Sequence, residues 1–212
     1  MRYAIVRAGA SPSFPDGDAF LAGSTSGEAD VVVYLTGSRL VADSSKSAIL
    51  VELGNECLGE HTGEDLGDEG SNVVGFARYR NGADAPSKLV ELVRQPKTAE
   101  SALAAARAVF EAAGFTVVVS ADQAGRIIDR LVRPKYNAAL RLLDEGLATQ
   151  KDMDLTCRLG LGYADGPIER VVRGGLAHHH DVTLALFSVY GTPGYAPARR
   201  SVVAARRRKE GR

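Results

Sequence analysis

The chain has 212 residues, enough for one large or two small domains with real cores. Its formal net charge of zero hides an uneven distribution, because residues 1–70 carry four basic against twelve acidic residues and the other 142 carry 22 against 14; the two halves should attract each other, or the opposite halves of a partner copy. The arginines of the basic half follow helical spacing without interleaved aromatics, which argues against nucleic-acid binding; Cys57 and Cys157 form no CxxC pair, which argues against a disulfide framework or a zinc site; and no apolar run nears the ~18 residues of a membrane span, so a soluble protein in a reducing, cytoplasmic setting is expected.

Tyr3 to Val6 reads as a first strand. A dinucleotide-binding fold would follow it with Gly-x-Gly-x-x-Gly, whose glycines let backbone N–H groups approach a pyrophosphate at a helix N-terminus. Here Gly9 to Pro15 has one glycine and two prolines, a stretch expected to build neither that turn nor the helix after it. Ala29 to Leu35 and Ala48 to Leu53 read as buried strands. Glu52 to Gly70 contains seven acidic residues and five glycines. Glu56, Glu60, His61, Glu64 and Asp65 are chemically plausible metal ligands, but the glycines leave them unanchored, so a mobile, solvated loop that holds no metal is expected. Val73 to Phe76 and Lys88 to Val93 are strand-like, Thr98 to Ala113 is an Ala-rich helix with Thr98 as its cap, and Phe115 to Val119 is a further strand.

After Gly125 the pattern becomes helical. Ile127, Ile128, Leu131, Val132, Tyr136, Ala139, Leu140 and Leu143 fall on one face that should be buried, with Pro134 kinking the helix near Arg130 and Gly146 closing it. Thr149 and Asp152 approximate a capping box for a helix from Lys151 to Leu159, ended by Gly160 and Gly162. Consecutive residues point in different directions, so the triplet His178, His179, His180 is not expected to chelate one metal. Asp181 to Tyr190 is an amphipathic helix, and the closing Arg206-Arg207-Arg208-Lys209 complements a helix C-terminus.

The order Gly125, Ile127, Arg130, Leu131, Pro134, Asn137, Ala138, Glu145, Gly146, Asp152, Asp154, Gly166, Pro167 and Glu169 resembles the C-terminal domain of the NAD-dependent L-3-hydroxyacyl-CoA dehydrogenases. That resemblance implies a truncated Rossmann-like α/β domain over residues 1–122 and an all-α, helical dimerisation domain over residues 123–212, with NAD as the family's cofactor. It carries over to Lys88-Leu89-Val90-Glu91, but counting from Gly75 places Ala77 where the family has its catalytic histidine, and Asp129 where it has an asparagine near the substrate carbonyl. Glu91, deprived of that imidazole, is expected to be a strand-end carboxylate or to pair with Arg78 or Arg80. The resemblance makes Glu91 and Asp129 the catalytic-position residues and Asn55 and Cys57 the substrate-binding counterparts, and it assigns no cofactor-binding or metal-binding residue. The expected function is that of a 3-hydroxyacyl-CoA dehydrogenase-family protein with impaired catalysis. The alternative is a non-catalytic homodimer or acyl-CoA-binding subunit of a partner enzyme.

Overall fold

The computed structural model describes residues 1–64 and 70–211, and the chain divides into two compact units. The first comprises residues 1–80 and 86–127, and the second comprises residues 81–85 and 128–212. Among the described residues no helix is long and apolar enough to cross a membrane.

The first unit is a six-stranded sheet: β1 (Tyr3–Val6), β2 (Val31–Tyr34), β3 (Ala48–Glu52), β4 (Val73–Arg78), β5 (Leu89–Arg94) and β6 (Thr116–Ala121). The strands lie side by side in chain order. β1 to β4 are parallel, β5 runs antiparallel to β4, and β6 is parallel to β5. Every residue of β3 is buried, as its uninterrupted apolar run requires of a strand covered on both faces. A doubly wound sheet places its first strand inside and reverses the strand order there, and the reversal opens the ligand crevice. Here β1 is an edge strand and the order never reverses, so this Rossmann-like sheet has no switch point.

Among the described residues, the connections between β1 and β4 hold at most single helical turns. The β1–β2 connection holds a single helical turn, α1 (Ala19–Ala22), capped by Asp18, in place of a full crossover helix. One long helix, α3 (Glu100–Ala112), covers the face on which Leu50, Val74 and Leu92 lie. Aromatic side chains fill the rest of that layer: Phe14 stacks on Phe20 with ring centroids 4.4 Å apart, Phe20 on Phe110 at 5.2 Å, and Phe76 lies 5.1 Å from Phe110. The loop that the prolines prevent from becoming a helix thus contributes core through Phe14, which is fully buried. The opposite face packs Tyr34, Ile49, Val51, Leu53, Leu58, Val73 and Val93.

Two local expectations are corrected in this unit. Thr98 does not cap α3, whose N-cap is Ala99; its hydroxyl accepts the Gln95 N–H at 2.9 Å, closing the turn after β5 instead. The stretch after Glu52 is not a solvated loop over its described part, because Leu53, Leu58 and Thr62 are buried and Gly59–Thr62 forms a helical turn, α2. Asp65, one of the plausible metal ligands, lies outside the described residues. Among the described residues no group of three His, Cys, Asp or Glu side chains could hold a metal ion.

The second unit contains α4 (Ile128–Asp144), α5 (Gln150–Leu161), α6 (Pro167–Arg173), α7 (Leu176–Tyr190), a 3₁₀ turn (Pro193–Tyr195) and α8 (Arg199–Lys209). Its core is Tyr136, Ala139, Leu140, Ile168, Val171 and Ala198. The Thr149 hydroxyl accepts the Asp152 N–H at 3.2 Å, as the capping box requires, and α5 runs through Gly160 to end at Gly162 in the left-handed region. Asp154 explains the spacing of the motif downstream. Its buried carboxylate accepts the N–H groups of Ile168 (2.9 Å) and Glu169 (3.0 Å) at the start of α6, Pro167 occupies the first turn, and a Cβ on Gly166 would collide with that carboxylate. Pro134 lies within α4 and leaves the Arg130 carbonyl without its helical donor; the Tyr195 hydroxyl lies 3.5 Å from that carbonyl.

The α4 stripe is not buried along its whole length. Leu131 is 70% exposed, whereas Arg133 and Asn137 are buried beside Tyr136 and Leu140. Substituting Phe14 by Ala should cost about 3–5 kcal/mol in urea unfolding followed by circular dichroism. Leu131→Ala should stay within about 0.5 kcal/mol for the isolated chain.

Candidate functional site

The β4–β5 pairing sets Ala77 directly opposite Glu91, on the face that also carries Gly75 and Val93. Cβ atoms of opposed residues lie about 5 Å apart, so a histidine at position 77 would reach the Glu91 carboxylate. With Ala77 in place, Arg126 is the charged side chain that faces Glu91. Glu91 is 4% exposed, accepts the Ile127 N–H at 3.0 Å, and has the Arg126 Nε 4.0 Å away. Arg78, one of the expected partners, is instead paired with Asp18 at 2.6 Å and lies over the Phe115 ring at 4.6 Å.

Arg126 has φ 48°, the one non-glycine in the left-handed region among the described residues. That conformation costs roughly 1–2 kcal/mol for an ordinary residue. The side chain explains how it is held: the guanidinium donates to the carbonyls of Gly54 and Glu56, and the Gly125 N–H donates to the Asn55 carbonyl at 3.0 Å. Asn55 thus meets the turn through its backbone.

The loop carrying Asn55 and Cys57 holds further ionisable groups. Burial alone would raise the Glu56 carboxyl, but hydrogen bonds from His61 and from the N–H groups of Gly54 and of Glu56 itself hold it at about 2. The same bond to Glu56 raises the His61 imidazole against its own burial, which favours the imidazolium, a form with no lone pair to accept a proton. Burial and then the charge of Asp122 push the Cys57 thiol up, so it is a poor source of thiolate. Asp122 itself is occupied, accepting the N–H groups of Leu58 at 2.6 Å and Gly59 at 2.8 Å.

At the C-terminal end of β3, Glu52 collects the loops that follow β1 and β2. Its carboxylate accepts the Ser11 hydroxyl (2.7 Å), the Ser13 N–H (2.8 Å), the Thr36 N–H (2.9 Å) and the Thr36 hydroxyl (3.0 Å). The end of the parallel strands is where a dinucleotide fold presents N–H groups to a pyrophosphate. In this chain those donors already hold a carboxylate, and Phe14 closes the loop into the core, so the residues present do not fit a nicotinamide dinucleotide.

In the helical unit Asp129 pairs with Arg133 at 2.7 Å, one turn away along α4. Arg133 faces His179 Nδ1 at 3.4 Å, and His179 Nε2 lies 2.9 Å from the Asn137 side-chain oxygen, which also accepts the Ala198 N–H at 3.2 Å. Arg133 can only donate and that oxygen can only accept, so His179 is neutral with its proton on Nε2. Burial first, then the Arg133 charge, push its pKa down to about 3. Of the three adjacent histidines, His179 alone is fully buried, as their divergence along a helix leads one to expect.

The family-model match falls on the helical unit. Residues 125–212 match the family model for the 3-hydroxyacyl-CoA dehydrogenase C-terminal domain. The helical unit is thus similar to the C-terminal domain of the 3-hydroxyacyl-CoA dehydrogenases. Over 89 residues the chain is 35% identical to human mitochondrial hydroxyacyl-coenzyme A dehydrogenase, covering 42% of this chain and 28% of that protein. Over 110 residues it is 31% identical to a 3-hydroxybutyryl-CoA dehydrogenase of Mycobacterium tuberculosis, covering 51% of this chain and 38% of that protein. The matches to these two relatives therefore span well under half of their length. The fold of an (S)-3-hydroxybutyryl-CoA dehydrogenase from Ralstonia eutropha superposes with a TM-score of 0.69 at 22% identity, covering 84% of this chain and 66% of that one. Arg126 follows Gly125 directly, and Asp129 stands at the asparagine position of the resemblance.

Arg126 and Glu52 were not singled out as site residues from the sequence. The available signals were an arginine between Gly125 and Ile127 and an acidic residue ending a strand of apolar residues. Arg126→Ala removes the side chain that donates to the Gly54 and Glu56 carbonyls and lies beside the buried Glu91, and should lower stability by about 3–5 kcal/mol in urea unfolding, more than Glu91→Gln does. His179 predicts a pH effect of defined sign. Its folded pKa lies below the unfolded value of 6.5, so the unfolded chain takes up the proton first, and stability is lost as pH falls from about 6.5 toward 3. The slope contributed is at most about 1.4 kcal/mol per pH unit. It should shrink in His179→Gln when melts are compared between about pH 6 and pH 4.5, above the range where most carboxylates titrate.

Proposed function

We propose that this chain is a catalytically impaired member of the 3-hydroxyacyl-CoA dehydrogenase family, whose retained roles are pairing with a second copy and holding an acyl-CoA. The observation that carries the reading is the register of β4 on β5, which leaves Ala77 facing a Glu91 engaged by Ile127 and flanked by Arg126. Oxidation of a 3-hydroxyacyl group needs a base for the hydroxyl proton, and alanine cannot accept one. Loss of a general base alone typically lowers rate by ~10²–10⁴. The carboxylate already seated at the end of the parallel strands supports the same reading, since NAD, the family's cofactor, would find its phosphate donors engaged.

The apolar surface of the helical unit favours the homodimer part of the proposal. Leu131 is 70% exposed and Leu159 79%, and a groove of about 390 Å³ between α4 and α5 is lined by Leu142, Leu147, Met153 and Leu161. Apolar surface of this extent on one unit is typical of an association face.

Purified protein should show no oxidation of NADH with acetoacetyl-CoA above background, and Ala77→His should not restore it. Turnover near ~1 s⁻¹ that is lost in Glu91→Gln would overturn the reading. Light scattering at micromolar concentration should give a dimer, and Leu131→Asp should shift it toward monomer by placing an unpaired charge in the interface.

A further inference from the structure

The Glu52 carboxylate is 3% exposed and is held by four neutral donors, with no ion pair reaching it among the described residues. Backbone N–H groups and hydroxyls converging on one point are the chemistry by which loops hold small anions without a cation. Ser11 and Ser13 are also anchored by contacts other than Glu52. The Ser11 hydroxyl accepts the Phe14 N–H at 2.9 Å, which turns its proton toward the carboxylate. Ser13 is anchored on its far side, its hydroxyl accepting the Arg78 N–H at 3.2 Å and its carbonyl accepting from the Arg78 guanidinium at 3.2 Å. Arg78 is in turn held by Asp18, and Phe14 is fixed in the aromatic layer.

We infer that Glu52 is a built-in ligand: its carboxylate occupies a preformed oxyanion site made by Ser11, Ser13 and Thr36, and a small free carboxylate binds there when Glu52 is removed. The consequence for the intact protein is exclusion. A phosphate or carboxylate group brought to this edge of the sheet meets an anion already in place, and its donors are fully engaged. The inference stands apart from the proposed loss of turnover, because it concerns occupancy of the site and not chemistry at Ala77 and Glu91.

Glu52→Ala leaves the donors and removes the carboxylate. It should melt below the wild type in chloride, and formate at constant ionic strength should restore part of the loss saturably, since a ligand that binds only the folded state raises its melting temperature. Wild type and Glu52→Gln, whose side chains still fill the space, should show no formate-specific rise. Adding Thr36→Ala to Glu52→Ala removes one hydroxyl donor and should weaken formate binding at least about tenfold. If Glu52→Ala does not fold in chloride, the yield of folded protein on refolding in formate against chloride reads the same quantity. A formate effect equal in all variants, or none in Glu52→Ala by either readout, would overturn the inference.

Discussion

A buried carboxylate with four donors ties the α/β unit together where its connections carry little helix. In a conventional parallel sheet the helices between strands cover both faces and carry the chain from one strand to the next. Here the loops after β1 and β2 are tied at Ser11, Ser13 and Thr36 to the end of β3 through Glu52. That tie positions Phe14 to stack with Phe20 and Phe110, so aromatic rings do the covering that helices otherwise provide. Leaving Glu52 unsatisfied at that depth would cost more than any one of its hydrogen bonds contributes. The same interaction ties the sheet's end and engages the backbone donors that lie there.

The site on the opposite face follows a similar logic of internal replacement. An imidazole is absent at position 77, and the carboxylate that would have oriented it lies beside an arginine held by the backbone of the neighbouring loop. In the helical unit, Asp129 has likewise acquired a cation one turn away, and that cation continues into the chain of contacts from Arg133 through His179 to Asn137. Glu91 and Asp129, the two ionisable residues at these positions, are each engaged within their own unit.

The legible parts of this structure were those set by short-range spacing. Asp154, Gly166 and Pro167 could be read as a unit because a carboxylate capping a helix one loop away fixes their separation. Counting from Gly75 by the family resemblance put Ala77 at the histidine position, whereas its opposition to Glu91 comes from the pairing of β4 with β5. What the sequence concealed depends on distant partners. The donors to Glu52 lie 16 to 41 residues away along the chain, and the carbonyls that hold Arg126 lie 70 and 72 residues away. Helical periodicity identified α4 but could not choose between its apolar faces, and tertiary packing buried Arg133 and Asn137 while leaving Leu131 in solvent.

The central claim is that this chain keeps the helical framework of the 3-hydroxyacyl-CoA dehydrogenases while its α/β unit has closed the cofactor's place with its own side chains. Calorimetric titration of NADH into the wild-type protein tests that claim most directly. The account predicts no saturable heat at concentrations up to about 1 mM, corresponding to a binding free energy weaker than about −4 kcal/mol. Stoichiometric binding in the micromolar range, with one NADH per chain, would contradict it.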